Sequence, residues 1–124
     1  MVLKKTNLTS PDIITLHTEL SNLKRKGIDN VIIEASSHGL KQGRLGGLKI
    51  KTGIFTNFSQ DHLDYHKNMK SYLNAKLILF KKILKEKTTI ITDQGIDQFF
   101  LLKKIAKKRN LKLINLNKIN FAFK

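Results

Sequence analysis

Asn30-Val31-Ile32-Ile33-Glu34-Ala35, running on into Ser36-Ser37-His38-Gly39-Leu40, decides how this chain is read. The first six residues are a short, β-branched, apolar run, which reads as a buried strand over 30–35. The run gives way to a carboxylate, two hydroxyls, an imidazole and a glycine. A second strand is expected over 48–56, ending in Phe55-Thr56, and a polar loop then runs from Asn57 to Asn68.

Upstream, Ser10-Pro11-Asp12 is a helix start. Ser10 can cap the first amides, Pro11 suits the first helical position, and Asp12 favours the positive end of the dipole. Ile13, Leu16, Leu20 and Leu23 recur at helical spacing and Gly27 is a stop, so a helix is expected over 11–26. Residues 36–47 carry Gly39, Gly43, Gly46 and Gly47 and read as loop with room for a short helix. Downstream, a helix is expected over 69–85, a strand over 88–92, a helix over 95–109 and a strand over 111–116. Helices alternating with short apolar strands predict an α/β fold with a parallel sheet. In such sheets ligands gather at the carboxyl ends of the strands, and Glu34-Ala35-Ser36 and Phe55-Thr56-Asn57 both fall at predicted strand ends.

A length of 124 residues points to one domain, with apolar residues at 40% and no cysteine. A disulfide framework and a thiolate metal site are thereby excluded. No apolar run is long enough for a spanning helix, and the first ten residues do not form a secretion signal. A soluble, cytoplasmic protein without a membrane partner is expected. The net charge of +15 taken alone suggests nucleic acid or an acidic membrane. Nearly all of it is lysine, however, with only Arg25, Arg44 and Arg109 able to fork onto phosphate or guanine. The joint richness in Ile, Asn and Lys matches the bias of an AT-rich genome. Nucleic-acid binding is therefore the minor reading, and a solvated lysine surface the major one.

Several residues could carry chemistry. Glu34 ends an apolar run, where an unpaired buried carboxylate is costly. It is either bonded to nearby amides or a magnesium ligand at the strand-end crevice. His62, beside Asp61 and Asp64, is either a turn residue or a metal ligand, an atypical one because magnesium prefers oxygen. His38 and His66 are supporting or surface candidates. At 100° per residue Lys76 falls on the apolar stripe of Leu73, Leu77, Phe80, Ile83 and Leu84, while Lys70, Lys81, Lys82 and Lys85 fall opposite. Such a lysine either snorkels to the edge or is held as a neutral amine, which carbon dioxide can convert to a carbamate. Thr9 and Ser10 precede a helix whose amino end can receive an anion. Ser36, Gln42 and Arg44 suit a polyanionic or sugar-bearing ligand. No Gly-x-x-x-x-Gly-Lys-[Ser/Thr] loop is present, and Gly43-Arg44-Leu45-Gly46-Gly47 does not qualify as one.

Taken in order, the turn at Thr9-Ser10-Pro11, Glu34-x-Ser36-Ser37-His38, Gln42-x-Arg44, Thr56-Asn57-x-x-x-Asp61-His62-Leu63-Asp64-Tyr65-His66 and Ala75-Lys76-x-x-x-Phe80 resemble the central domain of the Mur ligases, which build bacterial cell-wall peptide. The resemblance runs from about Leu8 to Leu84, with a fainter continuation to about Leu116. It is nearest to the branch that adds the third residue to UDP-N-acetylmuramoyl dipeptide. It implies a P-loop-type parallel α/β domain. Thr9, Ser10, Ser36, Gln42 and Arg44 would hold the UDP-N-acetylmuramoyl peptide. Glu34 and His62 would bind Mg2+, and Lys76, carbamylated, would serve the second magnesium site. The implied reaction consumes ATP: the peptide carboxylate becomes an acyl phosphate, and the amine of an amino acid displaces phosphate.

The family's ATP cradle would lie before Thr9, and its uridine-binding and amino-acid-binding domains have no counterpart in these residues. Leu8 stands where the nearest branch of the family has a polar residue, and Ser10 replaces a threonine. The chain is thus expected to be an incomplete central domain, inactive alone, with no ATP-binding residues of its own. A partner subunit completed by a separately encoded P-loop half is one alternative, and a lysine-rich nucleic-acid binder the other.

Overall fold

The structure, a computed structural model, describes residues 11–58 and 68–118. The chain divides into two compact units, Met1–Gly47 and Leu48–Lys124.

In the first unit, helix α1 (Ile13–Arg25) starts at Asp12. The Asp12 carboxylate accepts from the Thr15 amide at 2.9 Å and from the Thr15 hydroxyl at 2.6 Å. Asp12 is therefore the N-cap, and Pro11 lies before the helix rather than in its first turn. The physical reason is that an aspartate oxygen reaches the third amide of the turn as well as a serine does, and brings charge to the dipole. Gly27 ends the helix with φ +80°, a conformation that costs glycine nothing. Leu16 is buried, and Leu20 and Leu23 are half-buried.

The expected strand at 30–35 is not formed. The segment has no assigned secondary structure, and Val31 and Ile32 are 41% and 65% exposed. A strand exists through the neighbour that accepts its hydrogen bonds, and no strand is described elsewhere in its unit. A short helix, α2 (Ser37–Lys41), follows directly.

The second unit carries the predicted α/β alternation. β1 (Thr52–Ile54), α3 (Met69–Ile78), β2 (Thr89–Thr92), α4 (Phe99–Arg109) and β3 (Lys112–Asn115) follow in order. The three strands form one parallel sheet in the order β1-β2-β3. Thr52 pairs with Thr89, and Thr89 with Lys112. Leu77, Phe80, Leu84, Ile90 and Leu102 are completely enclosed. Asn110 closes α4 in the left-handed conformation, which asparagine tolerates.

The single helix expected over 69–85 is instead α3 followed by a π turn, Leu79–Ile83. The Leu84 amide bonds the Leu79 carbonyl at 2.9 Å, one residue further back than in an α-helix. The Phe80 carbonyl, which would take that amide in an α-helix, accepts instead from Arg109 Nη1 at 2.7 Å. The π turn packs on β1 at Gly53. A Cβ there would lie 2.9 Å from the Phe80 ring and 3.0 Å from the Leu84 side chain, so a larger residue would push these side chains aside. No helix among the described residues is long and apolar enough to cross a membrane.

Candidate active site

In the first unit, α2 exists because Ser36 caps it: its hydroxyl accepts from the Gly39 amide at 2.9 Å. The chain then turns through Gly43 at φ +71°. The Arg44 amide returns to the Gly39 carbonyl at 3.0 Å. That turn brings Arg44 Nε within 3.0 Å of Gln42 Oε1. The side-chain amide of Gln42 thus orients the guanidinium, a planar fork whose several N–H groups suit the oxygens of an anion. The far end of the turn is tied to α1, where His17 Nε2 lies 2.9 Å from the Gly46 carbonyl oxygen. Ser36, Gln42 and Arg44 are therefore gathered on one turn. Glu34 lies two residues before the cap and is exposed.

In the second unit, Lys76 is half-buried on α3. Its Nζ lies 5.1 Å from the centroid of the Tyr72 ring, one turn earlier. Tyr72 also meets Phe58, whose ring is 4.9 Å from its own with a 31° tilt. Tyr72 is buried. The departure of Lys76 from the lysines on the solvent arc is thus real. The amine ends on an aromatic face.

At the carboxyl ends of the strands lies a polar group that the sequence reading did not single out. Asn115 Nδ2 donates to Gln94 Oε1 at 2.8 Å, and the Gln94 amide donates to Asn115 Oδ1 at 3.1 Å. Asp93 accepts from the Gly95 amide at 2.6 Å. The signal was present: these residues stand at or just past the ends of the β2 and β3 runs. Thr92, buried, donates to the Phe55 carbonyl at 2.9 Å and holds the end of β1 against β2.

Of the residues proposed from sequence, Thr9, Ser10 and His62 lie outside the described residues, as does His66. Glu34, Ser36, Gln42 and Arg44 belong to the first unit and Lys76 to the second. No group of three or more acidic or histidine side chains that could hold a metal ion occurs among the described residues. The donor chemistry still bears on magnesium. Glu34 offers carboxylate oxygen, the donor that ion takes. Lys76 offers none as an amine and two oxygens as a carbamate.

Among the described residues, the acidity of Asp12 departs from its ordinary value. The Thr15 hydroxyl bond, then the Thr15 amide bond, hold its carboxyl below the ordinary 3.8.

The sequence matches the profile described as "Mur ligase middle domain" over residues 1–123. It is 49% identical over 76 residues to UDP-N-acetylmuramoyl-L-alanyl-D-glutamate--2,6-diaminopimelate ligase of Leptospira borgpetersenii, covering 61% of this chain and 15% of that protein. It is 44% identical over 110 residues to the ligase of the same name from Zymomonas mobilis, covering 88% of this chain and 22% of that one. A solved structure of a ligase with that name superposes with a TM-score of 0.74 at 32% identity, over 85% of this chain and 21% of that chain. The chain thus spans between about a seventh and a quarter of the length of these relatives.

Proposed function

The chain belongs to the Mur ligase family, through its middle domain, and from that premise we propose that it serves ATP-dependent amide ligation in peptidoglycan synthesis. The proposed step joins an amino acid to UDP-N-acetylmuramoyl-L-alanyl-D-glutamate. The names of the relatives support 2,6-diaminopimelate as that amino acid. The observation that carries the reading is the 44% identity sustained over 110 residues to a ligase so named.

Each group has a proposed task. Arg44, steered by Gln42, holds an anionic part of the UDP-muramoyl peptide by charge-assisted hydrogen bonds. Ser36, Thr9 and Ser10 add hydroxyl contacts. Glu34 and His62 hold magnesium, and Lys76, as its carbamate, serves a second magnesium. Magnesium, when bound, neutralises charge on the transferring phosphoryl group. To form the carbamate, the Lys76 amine bonds to the carbon of CO2 and gives up one proton. The phosphates of ATP take their cradle from a glycine-rich loop outside these 124 residues.

The test mixes the full chain with a polypeptide carrying such a loop, then supplies ATP, the UDP-muramoyl dipeptide and diaminopimelate. Phosphate release that needs all three and is abolished by Glu34→Ala is expected. Intact-mass measurement in bicarbonate should show one added CO2, absent in Lys76→Arg. Release that is indifferent to the dipeptide, or unaffected by Glu34→Ala, would overturn the reading.

A further inference from the structure

We infer that the outward face of α4 is a docking surface for an anionic phospholipid surface. This goes beyond the ligase reading and does not depend on it. The helix spends its apolar side on the sheet: Phe99, Leu102, Ile105 and Ala106 are buried. Its six exposed residues are Phe100, Leu101, Lys103, Lys104, Lys107 and Lys108. At 100° per residue they fill one continuous arc, with Phe100 between Lys107 and Lys104. Phe100 is 76% exposed, and its ring meets that of Phe99 edge-on at 5.6 Å. Arg109 is excluded from the face by its bond to the Phe80 carbonyl. The helix has no acidic residue, and Asp97 in the preceding turn is the one carboxylate adjoining it in sequence.

Charge and composition choose the occupant. A second copy of the chain would bring the same lysines, and a net charge of +15, against this face. Like charges oppose that contact. Lysines also meet nucleic-acid phosphates, but base edges are read by arginine forks, amides and hydroxyls, and none of these is exposed on α4. Lysines without directional partners, around an exposed aromatic ring and a leucine, match a layer of negative headgroups over an apolar interior. The sequence expectation of no membrane partner rested on the lack of a spanning helix. Lying on a bilayer needs no such helix.

The experiment uses the full chain and vesicles of phosphatidylglycerol mixed equally with phosphatidylcholine. The chain has no tryptophan, so Phe100→Trp supplies a single reporter at the centre of the face. The indole emission of this variant should shift to the blue on adding these vesicles and stay unchanged with phosphatidylcholine alone. Changing Lys103, Lys104 and Lys107 together to Gln should weaken co-sedimentation about a hundredfold, at about fivefold per lysine. Changing Lys24, Lys26 and Lys49 to Gln removes the same charge elsewhere and should cost less than about threefold. All six lysines are exposed, and far-ultraviolet circular dichroism checks that each variant folds. An unshifted emission from the Phe100→Trp variant, or equal losses from the two lysine triplets, would overturn the assignment. So would tighter binding to polyuridylate than to the vesicles, lost on the α4 triplet, which would make the face a nucleic-acid surface.

Discussion

Replacing Arg109 with Met should destabilise the second unit by about 2 kcal/mol. The magnitude follows from the π turn. By bonding the Leu84 amide to Leu79, that turn leaves the Phe80 carbonyl without its helical donor. Phe80 is only 2% exposed, so water does not readily replace a lost partner. Arg109 supplies a charged donor at 2.7 Å, a class of bond with a net worth of about 1.5–3 kcal/mol. Methionine keeps an unbranched apolar stem and removes only the donors, so packing loss stays small. The matched control is Arg25→Met. Arg25 is exposed, with a single 3.4 Å contact to Asn22, and its loss should cost less than about 0.5 kcal/mol. Urea denaturation of both variants reads the difference as a shift in midpoint at constant slope. Hydrogen exchange at the Leu84 amide localises it, since that amide is bonded to Leu79 within the π turn and opens with it. Arg109→Met within about 0.5 kcal/mol of the parent, with Leu84 exchange unchanged, would refute the claim that the guanidinium maintains the π turn.

Gly53→Ala should cost about 1–3 kcal/mol, because the new methyl meets Phe80 and Leu84 inside contact distance; thermal denaturation checks it. Thr92→Val should cost about 1–2 kcal/mol, since it keeps shape but strands the Phe55 carbonyl; urea midpoints read it. The Asp12 carboxyl should titrate below 3.8 by NMR. Its folded value is depressed, so its support for α1 is complete above the unfolded value and fades as pH falls through the folded one. Asp12→Asn should retain the cap and lose this acid dependence, which circular dichroism across the acid range would show.

Much of the second unit could be read from residue pattern. The runs at 88–92 and 111–116 became β2 and β3 nearly as bounded, and the helix expected at 95–109 became α4 from Phe99. These segments combine strong local preference with short connections, so neighbours in sequence are neighbours in the fold. The apolar run at 30–35 carried as strong a preference and formed no strand. Lys76 was legible as an oddity, because its place on the stripe needs only the helical period. Its contact with Tyr72 needed coordinates. The Gln94–Asn115 pair joins residues from two strand ends, and no local pattern announces it.

Helix periodicity, β-branched runs and glycine at a turn are local, because they act through φ, ψ and the nearest few side chains. They suffice for α/β alternation and for the order of the family motifs. The π turn, the fate of Arg109 and the outward ring of Phe100 are of another kind. Each depends on which atoms approach across the sheet–helix interface, and that is settled by packing among residues far apart in the chain.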